Sequence, residues 1–118
     1  MFGDGTHLDI ENSQALTRTW TFGNNTVVHG HGTQLDLENY SINALPASSL
    51  RLNNLEIAGL KSHNLRCHDA TAKLIIENCA LGMSQNFSFT SGSITLQQEA
   101  HITGTSKFSY QTNQPLIS

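Results

Sequence analysis

The chain has 118 residues, a mass of 12.9 kDa and a formal charge of −3, which allows one domain with a core of modest size. Only 13% of residues are charged and six are Lys or Arg. No basic face can therefore neutralise a run of phosphates or grip anionic lipid, and nucleic acid is excluded as an expected partner. About a third of the chain is Ser, Thr, Asn or Gln, and helix formers are scarce beside β-branched residues, a balance that favours an all-β fold. Residues 1–20 lack a basic segment followed by an apolar core, and nowhere do eighteen apolar residues run together, so the chain is read as soluble, with no membrane insertion expected.

In chain order, the first signal is LDIEN from residue 8, an apolar-polar-apolar-polar-amide pattern that returns as LDLEN from 35, LRLNN from 50, LIIEN from 74 and ITLQQ from 94. The SQALT stretch after Asn12 is compatible with a single helical turn. Short alternating segments follow at 19–22 (TWTF), 34–37 (QLDL), 50–52 (LRL), 65–67 (LRC), 73–76 (KLII), 87–89 (FSF), 94–96 (ITL) and 108–110 (FSY). Alternation over three to five residues predicts short strands with one buried face. Turn formers separate them: GNN at 23–25, HGHG at 29–32, PAS at 46–48, SHN at 62–64 and TSG at 90–92.

Self-similarity at 20 to 30 residues is the mark of a solenoid. The second apolar residues of the copies are Ile10, Leu37, Leu52, Ile76 and Leu96, spaced by 27, 15, 24 and 20. Three of these steps suit one coil of a parallel β-helix, whose strands stack about 4.8 Å apart. The 15-residue step is too short for a coil, which implies that the copies at Leu35 and Leu50 lie on different faces of a triangular cross-section. The expected architecture is an all-β parallel β-helix of about five coils, a single domain over 1–118 with residues 1–19 and 112–118 as candidate caps.

Asparagine recurs at Asn39, Asn54 and Asn78. In a parallel stack a side-chain amide can donate to one coil and accept from another, and Asn tolerates the left-handed backbone of a sharp corner, so these three form a candidate structural ladder. Solvated turn asparagines are the alternative. The apolar pairs that follow, Tyr40 with Ile42, Leu55 with Ile57 and Cys79 with Leu81, are expected to face the interior of the next sheet. Cys67 and Cys79 sit twelve residues apart without metal-ligand spacing, and both read as small buried hydrophobes, with a disulfide as the alternative.

The run VVHGHGTQLDL from Val27, followed by SLRLNNLEIAGLKSHNLRC, AKLIIENCAL, NFSFTSGSITLQQEAHITGT and KFSYQTNQPLIS, resembles the right-handed parallel β-helix repeats of bacterial surface or autotransporter-type proteins. The VxGxGxxLDL element resembles the start of a coil in pectate-lyase-like β-helices. The resemblance covers nearly everything from Trp20 onward. It implies a secreted or cell-surface bacterial protein with a structural or adhesive role.

Gly30, His31 and Gly32 spell an element found in the polygalacturonase branch of that fold, whose inverting chemistry needs an acid and a base carboxylate. Its other segments are missing, and Asp4, Asp9, Asp36 and Asp69 are never adjacent, so the glycines read as corner residues. His29 and His31 would point to one side of a strand and could share a metal, with His63 or His68 completing the site; isolated surface histidines are the plainer reading. Asp9, Glu11, Asp36, Glu38, Glu56 and Glu77 are expected on outward, solvated positions. Thr17, Thr19 and Thr21 alternate once, but no later coil repeats them. No catalytic, cofactor-binding or metal residue is therefore assigned.

Two functions are carried forward. The first is a non-enzymatic structural or adhesive solenoid module that self-associates through its ends, where strand edges lack partners. The second is a carbohydrate-binding or carbohydrate-active module that meets a cell-surface glycan through Trp20, Tyr40, Phe89 or Tyr110.

Overall fold

The structure is a computed structural model and describes residues 2–61, 64–83, 85–89, 91–103 and the backbone of 108–110. Every described element is a β-strand, and each coil supplies three. The first coil holds β1 (His7–Asp9), β2 (Gln14–Ala15) and β3 (Trp20–Phe22); the second holds β4 (Thr26–His29), β5 (Gln34–Asp36) and β6 (Ile42–Ala44). The third holds β7 (Ser49–Asn53), β8 (Glu56–Leu60) and β9 (Leu65–Cys67), and the fourth β10 (Lys73–Glu77), β11 (Ala80–Met83) and β12 (Phe87–Phe89). Then come β13 (Ser93–Gln97), β14 (His101–Thr103) and β15 (Phe108–Tyr110).

All pairings are parallel and join equivalent strands of successive coils, so the chain winds as a β-solenoid of about four turns, slightly fewer than the five expected. The first sheet runs β1-β4-β7-β10-β13 and the second β2-β5-β8-β11-β14. The third face is built by β3-β6-β9 and by the β12-β15 pair. Phe2 bridges to Phe22 beneath the third face.

The register explains the repeat. On the first sheet Leu8, Val28, Leu52, Ile76 and Leu96 stand one above another. Val28, Leu52 and Ile76 are fully buried, as are Leu50 and Leu74 in the neighbouring inward column. On the second sheet Leu35, Ile57 and Leu81 align, which puts the LDLEN copy on a different face from LRLNN and resolves the 15-residue step. Ile42 and Leu65 fill the third face. Each inward column removes apolar side chains from water at every coil, and parallel ladders bind the backbone between them.

Two local expectations change. The SQALT stretch makes no helical turn: Gln14–Ala15 pairs with β5 as an extended strand, because the sheet offers backbone partners that one isolated turn lacks. Tyr40 is 37% exposed rather than inward, since the chain turns after Leu37 and the inward role on the next face passes to Ile42.

Glycine is required at Gly30. A Cβ there would lie 2.3 Å from the Leu55 side chain and 2.6 Å from the Asn54 carbonyl oxygen, so only a bare backbone fits between the coils. At Gly92, with φ of 85°, a Cβ would stand 2.6 Å from the Cys67 sulfur.

Candidate functional site

The outward columns of the first sheet concentrate the polar chemistry. Asp9, His29, Asn53, Glu77 and Gln97 stack in register, with Arg51 two residues before Asn53 on the same side. His29 Nδ1 lies 3.3 Å from Asn53 Oδ1, Asn53 Nδ2 donates to Glu77 Oε1 at 3.4 Å, and Gln98 Nε2 donates to Glu77 Oε2 at 3.4 Å. The Arg51 guanidinium closes on Glu77 Oε2 at 2.7 Å. Glu77 is only 6% exposed, which corrects the expectation of a solvated acid. Neighbouring coils cover it above and below, and the arginine and two amides replace the lost water.

The histidines spread rather than converge. His31 has a left-handed backbone, φ 54°, and lies past the end of β4. Their ring centroids are 6.4 Å apart, the same separation as between His7 and His29. His31 Nε2 lies 3.2 Å from Asp9 Oδ1, with both side chains well exposed. His68 follows β9 on the third face, and His63 lies outside the described residues. Among the described residues no group of three or more His, Cys, Asp or Glu is placed to hold a metal ion.

The aspartates outside this column hold turns. Asp4 Oδ1 accepts from the Asn24 amide at 2.8 Å, Asp36 Oδ1 from the Glu38 amide at 2.9 Å and Asp69 Oδ1 from the Thr71 amide at 2.8 Å. The Thr71 hydroxyl, followed by its amide, holds the Asp69 carboxyl below the usual range.

The three ladder asparagines do not form one column. Asn54 and Asn78 occupy equivalent corners between the first and second sheets, both left-handed, and Asn78 Nδ2 donates to Asn54 Oδ1 at 3.3 Å. The corner is Ile10 and Gly30 in the earlier coils and Gln98 in the last. Asn39 lies at the corner after the second sheet, exposed, where its Oδ1 accepts from Lys61 Nζ at 3.4 Å. The amide that binds most deeply is Asn64, which the repeat pattern does not flag. It is fully buried, its Nδ2 donates to the Tyr40 carbonyl at 2.6 Å and the Glu38 carbonyl at 3.2 Å, and its Oδ1 accepts from the Lys61 amide at 2.6 Å.

Both cysteines are free and buried, so the disulfide alternative is not realised. Burial pushes the Cys67 thiol up to about 12 and raises that of Cys79 as well, which makes both poor nucleophiles.

One depression, about 300 Å³ in volume, runs along the corner of the amide pair. Ala80 lies in register between Glu56 and His101, and its short side chain opens the floor between them. Asn54, Asn78 and Glu99 complete the wall. His101 Nδ1 sits 3.0 Å from the Glu99 carbonyl; donating there leaves Nε2 with its lone pair. Amides, carboxylates and an imidazole around a shallow floor can exchange hydrogen bonds with a hydroxyl-rich ligand.

Compared with known proteins, the chain matches no protein-family model, no curated protein and no solved structure at a significant level.

Proposed function

We propose that the chain is a non-enzymatic structural or adhesive β-solenoid module of a bacterial cell-surface or secreted protein, and that it self-associates end to end. The observation that carries this reading is the distribution of half-covered apolar side chains. Phe2, Leu8 and Trp20 pack on the core in the first coil, and Leu96 and Ala100 do so in the last. On the long faces between, Asp4, Asp36 and Asp69 hold turns and Arg51 with Glu77 joins two coils. Half-covered apolar side chains in both the first and the last coil favour association through the ends. The test is sedimentation velocity over a concentration series: the weight-average coefficient rises with concentration under this reading, and a strictly monomeric chain at high concentration defeats it.

A second reading, a carbohydrate-binding or carbohydrate-active module, draws support from the groove floored by Ala80. Its hydrogen-bonding groups suit a glycan, although among the described residues no Phe, Tyr or Trp lines it to stack on a sugar ring. A glycan array tests it, with binding expected to fall on Glu56→Ala; an array without hits leaves the structural reading alone.

A further inference from the structure

Gln34, Glu56, Ala80 and His101 stand in one outward column of the second sheet. Only Ala80 lacks a polar head, so a gap opens over its methyl group, with Glu56 on one flank and His101 on the other. Strands stack about 4.8 Å apart, which sets the two flanking backbones roughly 10 Å from each other and leaves room for one ligand group between their side chains. The depression of about 300 Å³ lies at this gap.

Acceptors and negative charge predominate around it. Glu56 and Glu99 are exposed, and the ion pairs among the described residues are His31 with Asp9 and Arg51 with Glu77, so neither carboxylate is neutralised. His101 Nδ1 lies 3.0 Å from the Glu99 carbonyl, which can only accept. In the neutral ring the proton is therefore on Nδ1, and Nε2 is a further acceptor. Asn54 and Asn78 offer both donors and acceptors, and among the described residues no Lys or Arg lines the wall. A bare metal ion does not suit this arrangement, because it needs several ligands converging within about 2.5 Å and no such group is placed among the described residues. A primary ammonium suits it better: three diverging donors reach acceptors spread around a floor at ordinary hydrogen-bond lengths.

We infer that the groove takes an amino sugar with its amine unacetylated, the ammonium seated over Ala80 between Glu56 and His101 and the ring hydroxyls meeting Asn54 and Asn78. This rests on the carbohydrate-binding reading above and names the class of glycan. Charge-assisted hydrogen bonds anchor the ligand here, in place of an aromatic platform.

The experiment titrates the isotope-labelled chain with a glucosamine oligomer, the same oligomer fully N-acetylated, and spermidine, following the backbone amide signals of Asn78, Ala80 and His101. The free-amine oligomer is expected to move these signals and to bind roughly tenfold tighter than the acetylated one. Glu56→Gln, which keeps the shape and removes the charge, is expected to erase that preference, and Ala80→Gln, which fills the floor, to abolish binding of both oligomers. Both changes are at outward positions, the spectrum of each unliganded variant checks its fold, and the comparison of ligands on the unaltered chain needs no variant. Equal affinity for the two oligomers, or a preference that survives Glu56→Gln, overturns the amine assignment and leaves the carbohydrate reading standing. Spermidine binding as tightly as the free-amine oligomer overturns the sugar assignment. No shifts at the groove with either oligomer overturn the inference and the carbohydrate reading together.

Discussion

Asn78 donates its side-chain amide to Asn54 across one coil at 3.3 Å, and both hold left-handed backbone with φ of 51° and 57°. The position therefore asks for an amide and for a residue that accepts this conformation. Asn78→Ala loses both and costs roughly 1–2 kcal/mol, while Asn78→Gly restores the backbone and costs less. Ala47, at φ 58°, is the converse case: Ala47→Gly gains roughly 0.5–1 kcal/mol by relieving the same conformation. Urea unfolding of the three variants checks the order.

Gly30 and Gly32 separate crowding from torsion. A methyl group at Gly30 strikes Leu55 and the Asn54 carbonyl, whereas one at Gly32 meets nothing within 4 Å but sits at φ 81°. Gly30→Ala is expected to cost about 2–4 kcal/mol and Gly32→Ala about 1 kcal/mol. Equal losses in thermal or urea melts contradict the inter-coil contact at Gly30.

Glu77 is the most deeply covered carboxylate, and Arg51 is its charged partner. Arg51→Met leaves a covered charge with only amide support and is expected to cost about 1–3 kcal/mol, reduced from the fully buried case because Arg51 is partly exposed. Glu77→Gln removes the charge together with the need for a cation and costs less. A double-mutant cycle on the two positions reads the coupling directly.

The buried thiols set an alkaline limit. Burial raises the Cys67 thiol from 9.0 to about 12, so the folded chain holds its proton more tightly than the unfolded one. Stability from this source is complete below pH 9 and is lost as pH climbs from 9 toward 12. Cys67→Ala is expected to flatten the fall in melting temperature over that window. Native protein at neutral pH is expected to react slowly with a thiol reagent at both cysteines, and quickly once unfolded.

Much of the solenoid is legible in the sequence because stacking imposes a strict pattern on the inward columns. Leu52, Ile76 and Leu96 are readable as one column from spacing alone, and the LRC, FSF and FSY segments coincide with β9, β12 and β15. Strands with weaker alternation escape. Gln14–Ala15 is extended only because β5 lies beside it, and no local signal in SQALT announces that partner. Glu77 looks like any outward acid until Arg51, 26 residues earlier, is folded against it. Asn64 lies within a segment that reads as an ordinary turn, SHN, and its burial depends on the Tyr40 and Glu38 carbonyls of the previous coil. Such sites depend on long-range stacking, which residue type and local period do not encode.

The parallel register of the first sheet sets which side chains meet along the solenoid, and nuclear Overhauser contacts test it most directly. The account predicts inter-strand backbone contacts joining Arg51 to Ile75 and Ile75 to Thr95, steps of 24 and 20 residues along the ladder β7-β10-β13. Contacts between β7 and β8 in an antiparallel hairpin pattern, with those long-range contacts missing, would contradict it.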